Sequence, residues 1–100
     1  MSIENDLFLG FVKVHILHHA EKEPVCGMWL QKELARHGYS LSPGTLYPTL
    51  HALENAGYLK GKRKLEKGKL RLYYRLTPRG GKMLERARAK VRELAGEVMV

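Results

Sequence analysis

The sequence predicts a mainly α-helical domain with one small β-hairpin: a winged helix-turn-helix with an added C-terminal dimerisation helix. Three observations predict it. Two short amphipathic segments, Cys26 to Arg36 and Pro43 to about Ala56, are separated only by a tight glycine-containing turn. The apolar period then switches from helical to alternating at Tyr58. A helical period resumes after Thr77-Pro78 and runs to the end of the sequence.

The first helix is expected from about Ile3 to Lys22. Leu7, Phe8, Leu9, Phe11, Val12, Val14, Ile16 and Leu17 cover nearly every side of it, and a helix apolar all round is buried all round. A 100-residue chain cannot surround its own first helix, so a second subunit is expected over the outer face, at Leu7, Phe8 and Phe11. In the second helix Gly27, Leu30, Leu34 and Gly38 share one stripe, and His37-Gly38 ends it with glycine where a left-handed cap is wanted. Ser42 and Pro43 mark the next start, as cap and first helical residue, and Gly57 marks its end. Leu46, Leu50 and Leu53 face inward along it. A hairpin follows, Leu59 to Leu65 pairing with Leu70 to Leu76 across Glu66-Lys67-Gly68-Lys69, with Leu70, Leu72, Tyr74 and Leu76 on one face. In the last helix Leu84, Ala87, Val91, Leu94 and Val98 recur at three, four, three and four, a heptad seam. Two heptads are too few for an independent coiled coil and the helix could pack on its own domain, but with the doubly apolar first helix the seam favours a dimer. Residues 1–76 thus form the winged helix-turn-helix, with helix 3–22 also at the dimer interface. Residues 77–100 form a dimerisation helix packed on the same single domain.

Charge narrows the function. The chain carries 18 Lys and Arg against 10 Asp and Glu, a formal +8. Eight of those cations (Lys60, Lys62, Arg63, Lys64, Lys67, Lys69, Arg71 and Arg75) and one acid, Glu66, lie between Lys60 and Arg75, so this stretch alone holds +7. Such focusing is the footprint of a polyanion partner, with a solvated basic hairpin as the bland alternative. No apolar run reaches the roughly 20 residues of a membrane helix, the first residues do not resemble a signal peptide, and the single Cys26 excludes an internal disulfide. A cytoplasmic domain without membrane contact is expected.

Placing Leu46 inward leaves Gly44, Pro48, His51 and Asn55 on the opposite side, flanked by Thr45 and Tyr47. This is the face that a recognition helix offers to the major groove. Ser42 and Tyr47 can donate to phosphate, Thr45 and Pro48 offer apolar surface to a thymine methyl, and His51 offers a hydrogen bond. Lys62, Lys64, Lys67, Lys69 and Arg71 at the hairpin are candidate phosphate or minor-groove contacts, and Tyr73 is a candidate phosphate or stacking contact. His15 and His19 stand one turn apart, a spacing that can bind metal, but spacing indicates no third ligand. They are read as satisfied or surface histidines, and no metal or cofactor is expected. Cys26 reads as a small buried hydrophobe. No nucleophile is paired with a base and the glycines lie at turns, so no enzyme is expected.

Ser42-Pro43-Gly44-Thr45-Leu46-Tyr47-Pro48-Thr49-Leu50, continuing through Leu53-Glu54-Asn55-Ala56-Gly57, resembles the recognition-helix signature of the PadR-like transcriptional regulators. Tyr73-Tyr74-Arg75-Leu76-Thr77-Pro78-Arg79-Gly80 resembles the strand-to-helix signature that follows the wing in that family. The match spans roughly Phe11 to Leu84. It departs at Gly27-Met28, where members often carry Gly-Tyr. The resemblance implies a bacterial or archaeal dimeric repressor with a short single-helix C-terminal part. Two recognition helices related by a two-fold axis are then expected to bind double-stranded DNA as a homodimer on a palindromic operator. It also implies a dimer cavity for planar compounds, which makes Trp29 a candidate contact for a small-molecule effector, beside the plainer reading of Trp29 as core. An RNA-binding winged helix, and a protein-interaction module that uses the basic hairpin, are the two rival functions.

Overall fold

The computed structural model describes residues 2–100. Its elements are α1 (Ile3–Lys22), β1 (Val25–Cys26), α2 (Gly27–Arg36), α3 (Pro43–Asn55), β2 (Leu59–Glu66), β3 (Lys69–Leu76) and α4 (Pro78–Val98). Four helices and a small antiparallel sheet make the winged helix-turn-helix with its added C-terminal helix.

The helix ends follow local chemistry. At the close of α2, Gly38 takes φ +90°, the Tyr39 N–H donates to the Leu34 carbonyl and the Gly38 N–H to that of Ala35. The same pair of bonds closes α3 around Gly57 at φ +85°, from Tyr58 to Leu53 and from Gly57 to Glu54. Both are left-handed glycine caps that satisfy carbonyls a helix end leaves open. Thr77 caps α4 by accepting from the Gly80 N–H at 2.9 Å. Ser42 holds the cap position of α3, but its hydroxyl makes no capping bond and instead faces Thr45 Oγ1 at 3.4 Å.

The sheet is larger than the expected hairpin. β1 pairs with β3 (Val25 with Tyr74, Cys26 with Tyr73), so the order is β1-β3-β2. Two residues carry no readable alternation, and pairing with β3 alone makes them a strand. The pairing leaves Cys26 only half-buried, against the expectation of a buried hydrophobe. The turn between β2 and β3 is also tighter than expected: Glu66 and Lys69 pair, leaving Lys67 and Gly68 as the loop, both at positive φ.

The core gathers Val12, Ile16, Leu17 and Ala20 of α1, Leu30 and Leu34 of α2, Leu46, Leu50 and Leu53 of α3, Leu59 and Tyr74 of the sheet, and Leu84 of α4. Leu84 corrects the expected seam. It is fully buried within its own chain, so it closes the domain core rather than meeting a partner. The remaining seam residues differ: Ala87 is half-buried, and Val91, Leu94 and Val98 are exposed, as are Leu7, Phe8 and Phe11 of α1. Beyond Arg88 no residue of α4 is buried. Arg88 fixes α4 to α1 by donating to Glu21 Oε1 at 2.9 Å. Leu70 and Leu72 correct the hairpin's inner face. Both are exposed because the strands run past the core, leaving Tyr74 as the buried residue of that row.

Candidate nucleic-acid interface

The helix-turn-helix is held rigidly by few contacts. Gln31 of α2 donates to the Leu41 carbonyl at 2.9 Å, pinning the turn that leads into α3. Inside α3, Leu46, Leu50 and Leu53 are buried, while Ser42, Thr45, Tyr47, Pro48 and His51 are exposed together on the other side. Pro48 removes a backbone donor from the helix interior. Thr49, buried just after it, donates its hydroxyl to the Thr45 carbonyl at 2.8 Å and fixes the backbone beneath the exposed face.

Tyr47 is placed by a glycine. A Cβ at Gly27 would stand 2.6 Å from the Tyr47 ring, so a side chain there would push the ring from its place against the start of α2. The ring therefore lies between the two helices with part of its surface exposed. Tyr47 also lines a groove with Met28, Lys69, Leu70, Arg71 and Leu72, which joins the start of α3 to the distal half of the hairpin. Met28 stands where the family often has tyrosine, and Arg71 reaches its sulfur at 3.5 Å.

The hairpin is oriented by Glu54 in the last turn of α3, which accepts from the Gly61 N–H at 2.8 Å. A side chain at Gly61 would press on Glu54, Leu72 and Tyr74. α3 and the wing are thus tied by a hydrogen bond that the sequence did not announce.

Strand register exposes the electrostatics. Lys60 stands opposite Arg75, Lys62 opposite Tyr73, Lys64 opposite Arg71 and Glu66 opposite Lys69. Side chains directly opposite share a face. One face of the wing therefore carries six cations, with two like-charged pairs placed side by side. Each such pair costs stability on its own. Lys62, Lys64, Lys67 and Lys69 are exposed, whereas Arg71 and Tyr73 are partly buried. Lys60 and Arg75 belong to this face and were missed as candidates. The alternation of charges could have found them once the register was known. Tyr73 is engaged within the wing: its hydroxyl donates to Glu66 Oε1 at 2.6 Å, and Lys64 lies 5.9 Å above its ring. That hydrogen bond, with burial adding to it, raises the phenol above its ordinary value. Glu66 also lies 3.7 Å from Arg71, so the one acid of the stretch holds the tip together.

The match to known proteins agrees with this geometry. Residues 16–86 fit the model of the transcriptional regulator PadR-like family. The chain belongs to that family. It is 51% identical over 88 residues to Transcriptional regulator Rv3488 of Mycobacterium tuberculosis, covering 88% of this chain and 82% of that protein. Among solved structures, a PadR family transcriptional regulator from Eggerthella lenta superposes with a TM-score of 0.82 at 33% identity, covering 93% of this chain and 82% of that one. A PadR-like transcription factor from Bacteroides fragilis superposes equally well, with a TM-score of 0.82 at 28% identity, covering 96% and 94%. As a PadR-like protein the chain is a regulator of transcription, and among the described residues no helix is long and apolar enough to cross a membrane.

Trp29 differs from the core position expected of it. It is exposed along much of its surface and packs edge-on against His19, ring centroids 5.2 Å apart. The histidines differ too. His37, at the end of α2, comes within 4.8 Å of His15, ring to ring, and the buried Nε2 of His19 has no hydrogen-bond partner among the described residues. The chain's fold, not its local spacing, supplies the third imidazole.

Proposed function

We propose that this PadR-like regulator is a homodimeric, sequence-selective binder of double-stranded DNA that acts as a repressor. The observation that carries the reading is the cationic wing face, with Lys60 against Arg75 and Lys64 against Arg71. Like charges held opposite one another are relieved by a polyanion, and the wing holds them beside an exposed helix face of groove-reading shape. In this reading α3 enters the major groove. Ser42 and Tyr47 meet phosphate, Thr45 and Pro48 meet thymine methyls, and His51 donates or accepts at a base edge. Lys62, Lys64, Lys67, Lys69 and Arg71 grip the flanking backbone. Tyr73 supports Glu66 and the tip rather than reaching phosphate itself.

Dimerisation rests on Leu7, Phe8 and Phe11 of α1 with Ala87, Val91, Leu94 and Val98 of α4, two apolar rows that one chain leaves largely uncovered. A two-fold axis through them would set the recognition helices about 34 Å apart, to meet an imperfect palindrome with half-sites about 10 base pairs apart. Trp29, exposed on the α1 side of α2, is the candidate contact for a small-molecule effector.

Titrating the protein with a selected duplex, a scrambled duplex and a structured RNA at matched salt tests the reading. The selected duplex binds tightest, with log affinity falling against log salt at a slope near −6 if each subunit neutralises three or four phosphates. Preference for RNA, or failure to bind nucleic acid at physiological salt, would favour the rivals.

A further inference from the structure

A cluster of histidines lies away from the wing and the exposed face of α3, where α1 meets the end of α2. His15 and His19 stand on successive turns of α1, and His37 caps α2 beside them. One ring nitrogen from each falls within 4.8 Å of the others. The rings of His15 and His37 stack with centroids 4.8 Å apart, and those of His15 and His19 at 6.2 Å. Glu33, one turn before His37, accepts from His37 Nε2 at 3.1 Å and lies 3.6 Å from His19 Nε2. Arg36 donates to the other oxygen of Glu33 at 2.8 Å, fixing the carboxylate in place. The second observation is independent of this proximity. His19 Nε2 is buried and has no hydrogen-bond partner among the described residues, whereas such groups almost always find one.

We propose that His15, His19 and His37, backed by Glu33, form a site for a divalent transition metal ion of the zinc type that fastens α1 to the end of α2. Imidazole nitrogen selects zinc, cobalt, nickel or copper over magnesium and calcium. Zinc bonds nitrogen at about 2.0–2.1 Å, which puts tetrahedral ligands about 3.4 Å apart. Nitrogens 4.8 Å apart therefore have to close by about 1.4 Å, a movement within the reach of side-chain rotation at the exposed His37 and half-buried His15. A carboxylate hydrogen-bonded to a ligating ring orients it and raises its basicity, and Glu33 stands in that position. Burial, above all, holds His15 and His19 below the ordinary imidazole value, with repulsion among the rings adding and Glu33 opposing. The site does not depend on the DNA reading.

The test uses the full chain without an affinity tag, stripped with a chelator and titrated with cobalt(II), then with zinc(II). The expected result is one ion per chain, a visible cobalt band of four- or five-coordinate intensity, its bleaching by zinc, and a Tm that rises with zinc. His15→Ala and His37→Ala each weaken zinc binding tenfold or more and abolish the zinc-dependent rise in Tm. His18→Ala, whose ring abuts His19 but lies outside the cluster, changes affinity less than twofold. Circular dichroism without metal establishes that each variant is folded. The proposal is overturned if wild-type protein binds no zinc at tens of micromolar free ion. It is equally overturned if His15→Ala and His37→Ala bind as wild type, or if His18→Ala loses as much as they do.

Discussion

Lys67 occupies the first position of the two-residue turn at the wing tip with φ +49°, a left-handed conformation that the sequence gives to glycine elsewhere. An ordinary side chain pays about 1–2 kcal/mol there. Asparagine tolerates this conformation and is favoured at that turn position, so Lys67→Asn should recover about 0.5–1 kcal/mol. For a chain this size that is a rise in Tm of roughly 2–8 °C. If the wing grips the backbone as proposed, the same change removes one phosphate contact per subunit. Each contact contributes about 0.9 to the slope of log affinity on log salt, so the dimer's slope should become shallower by about 1.8. Referred to 1 M salt, where counterion release vanishes, this is about a sixtyfold loss of affinity at 0.1 M. Thermal unfolding and fluorescence anisotropy of one duplex at four salt concentrations measure both effects on the same protein. The opposite signs are the test. A lower Tm would refute the strain argument, and an unchanged slope would show that the tip does not touch the backbone.

Four other perturbations separate stability from assembly and binding. Val91→Lys with Leu94→Lys should give folded monomers by light scattering, because each lysine would bury an unpaired charge in the proposed interface; dimers with a native spectrum would exclude it. Leu84→Ala, by contrast, should cost about 2–5 kcal/mol in denaturant unfolding, as a core cavity does. Gly80→Ala places a Cβ 2.1 Å from the Tyr58 carbonyl oxygen, and the start of α4 has to shift; about 3 kcal/mol of destabilisation is expected in the same assay. Glu54→Ala releases the Gly61 N–H that ties the wing to α3, and should weaken cognate and scrambled duplexes alike while stability falls by about 1 kcal/mol.

Most of the fold is legible because its punctuation is local. Ser42-Pro43 and Thr77-Pro78 start helices, Gly38 and Gly57 end them, and each signal needs only its own few residues. What escaped reading depends on distant partners. β1 is a strand only because β3 runs beside it. Leu84 and Val91 share one heptad row, yet one is buried in its own chain and the other is exposed; a period gives the stripe and not the neighbour that covers it. Leu70 and Leu72 alternate as an inner face, but the hairpin outruns the core that would bury them. At the interface, the exposed face of α3 follows from 100° per residue, whereas the opposed pairs Lys60–Arg75 and Lys64–Arg71 required the register. The histidine cluster required the packing of α1 against α2.

Selection of sites from random duplex DNA, followed by footprinting and measurement of the bound stoichiometry, tests the central claim most directly. Enrichment of an imperfect palindrome whose half-sites lie about 10 base pairs apart, protected by two chains, is the expected result. Absence of any enriched duplex, or protection of a single half-site by one chain, would contradict it.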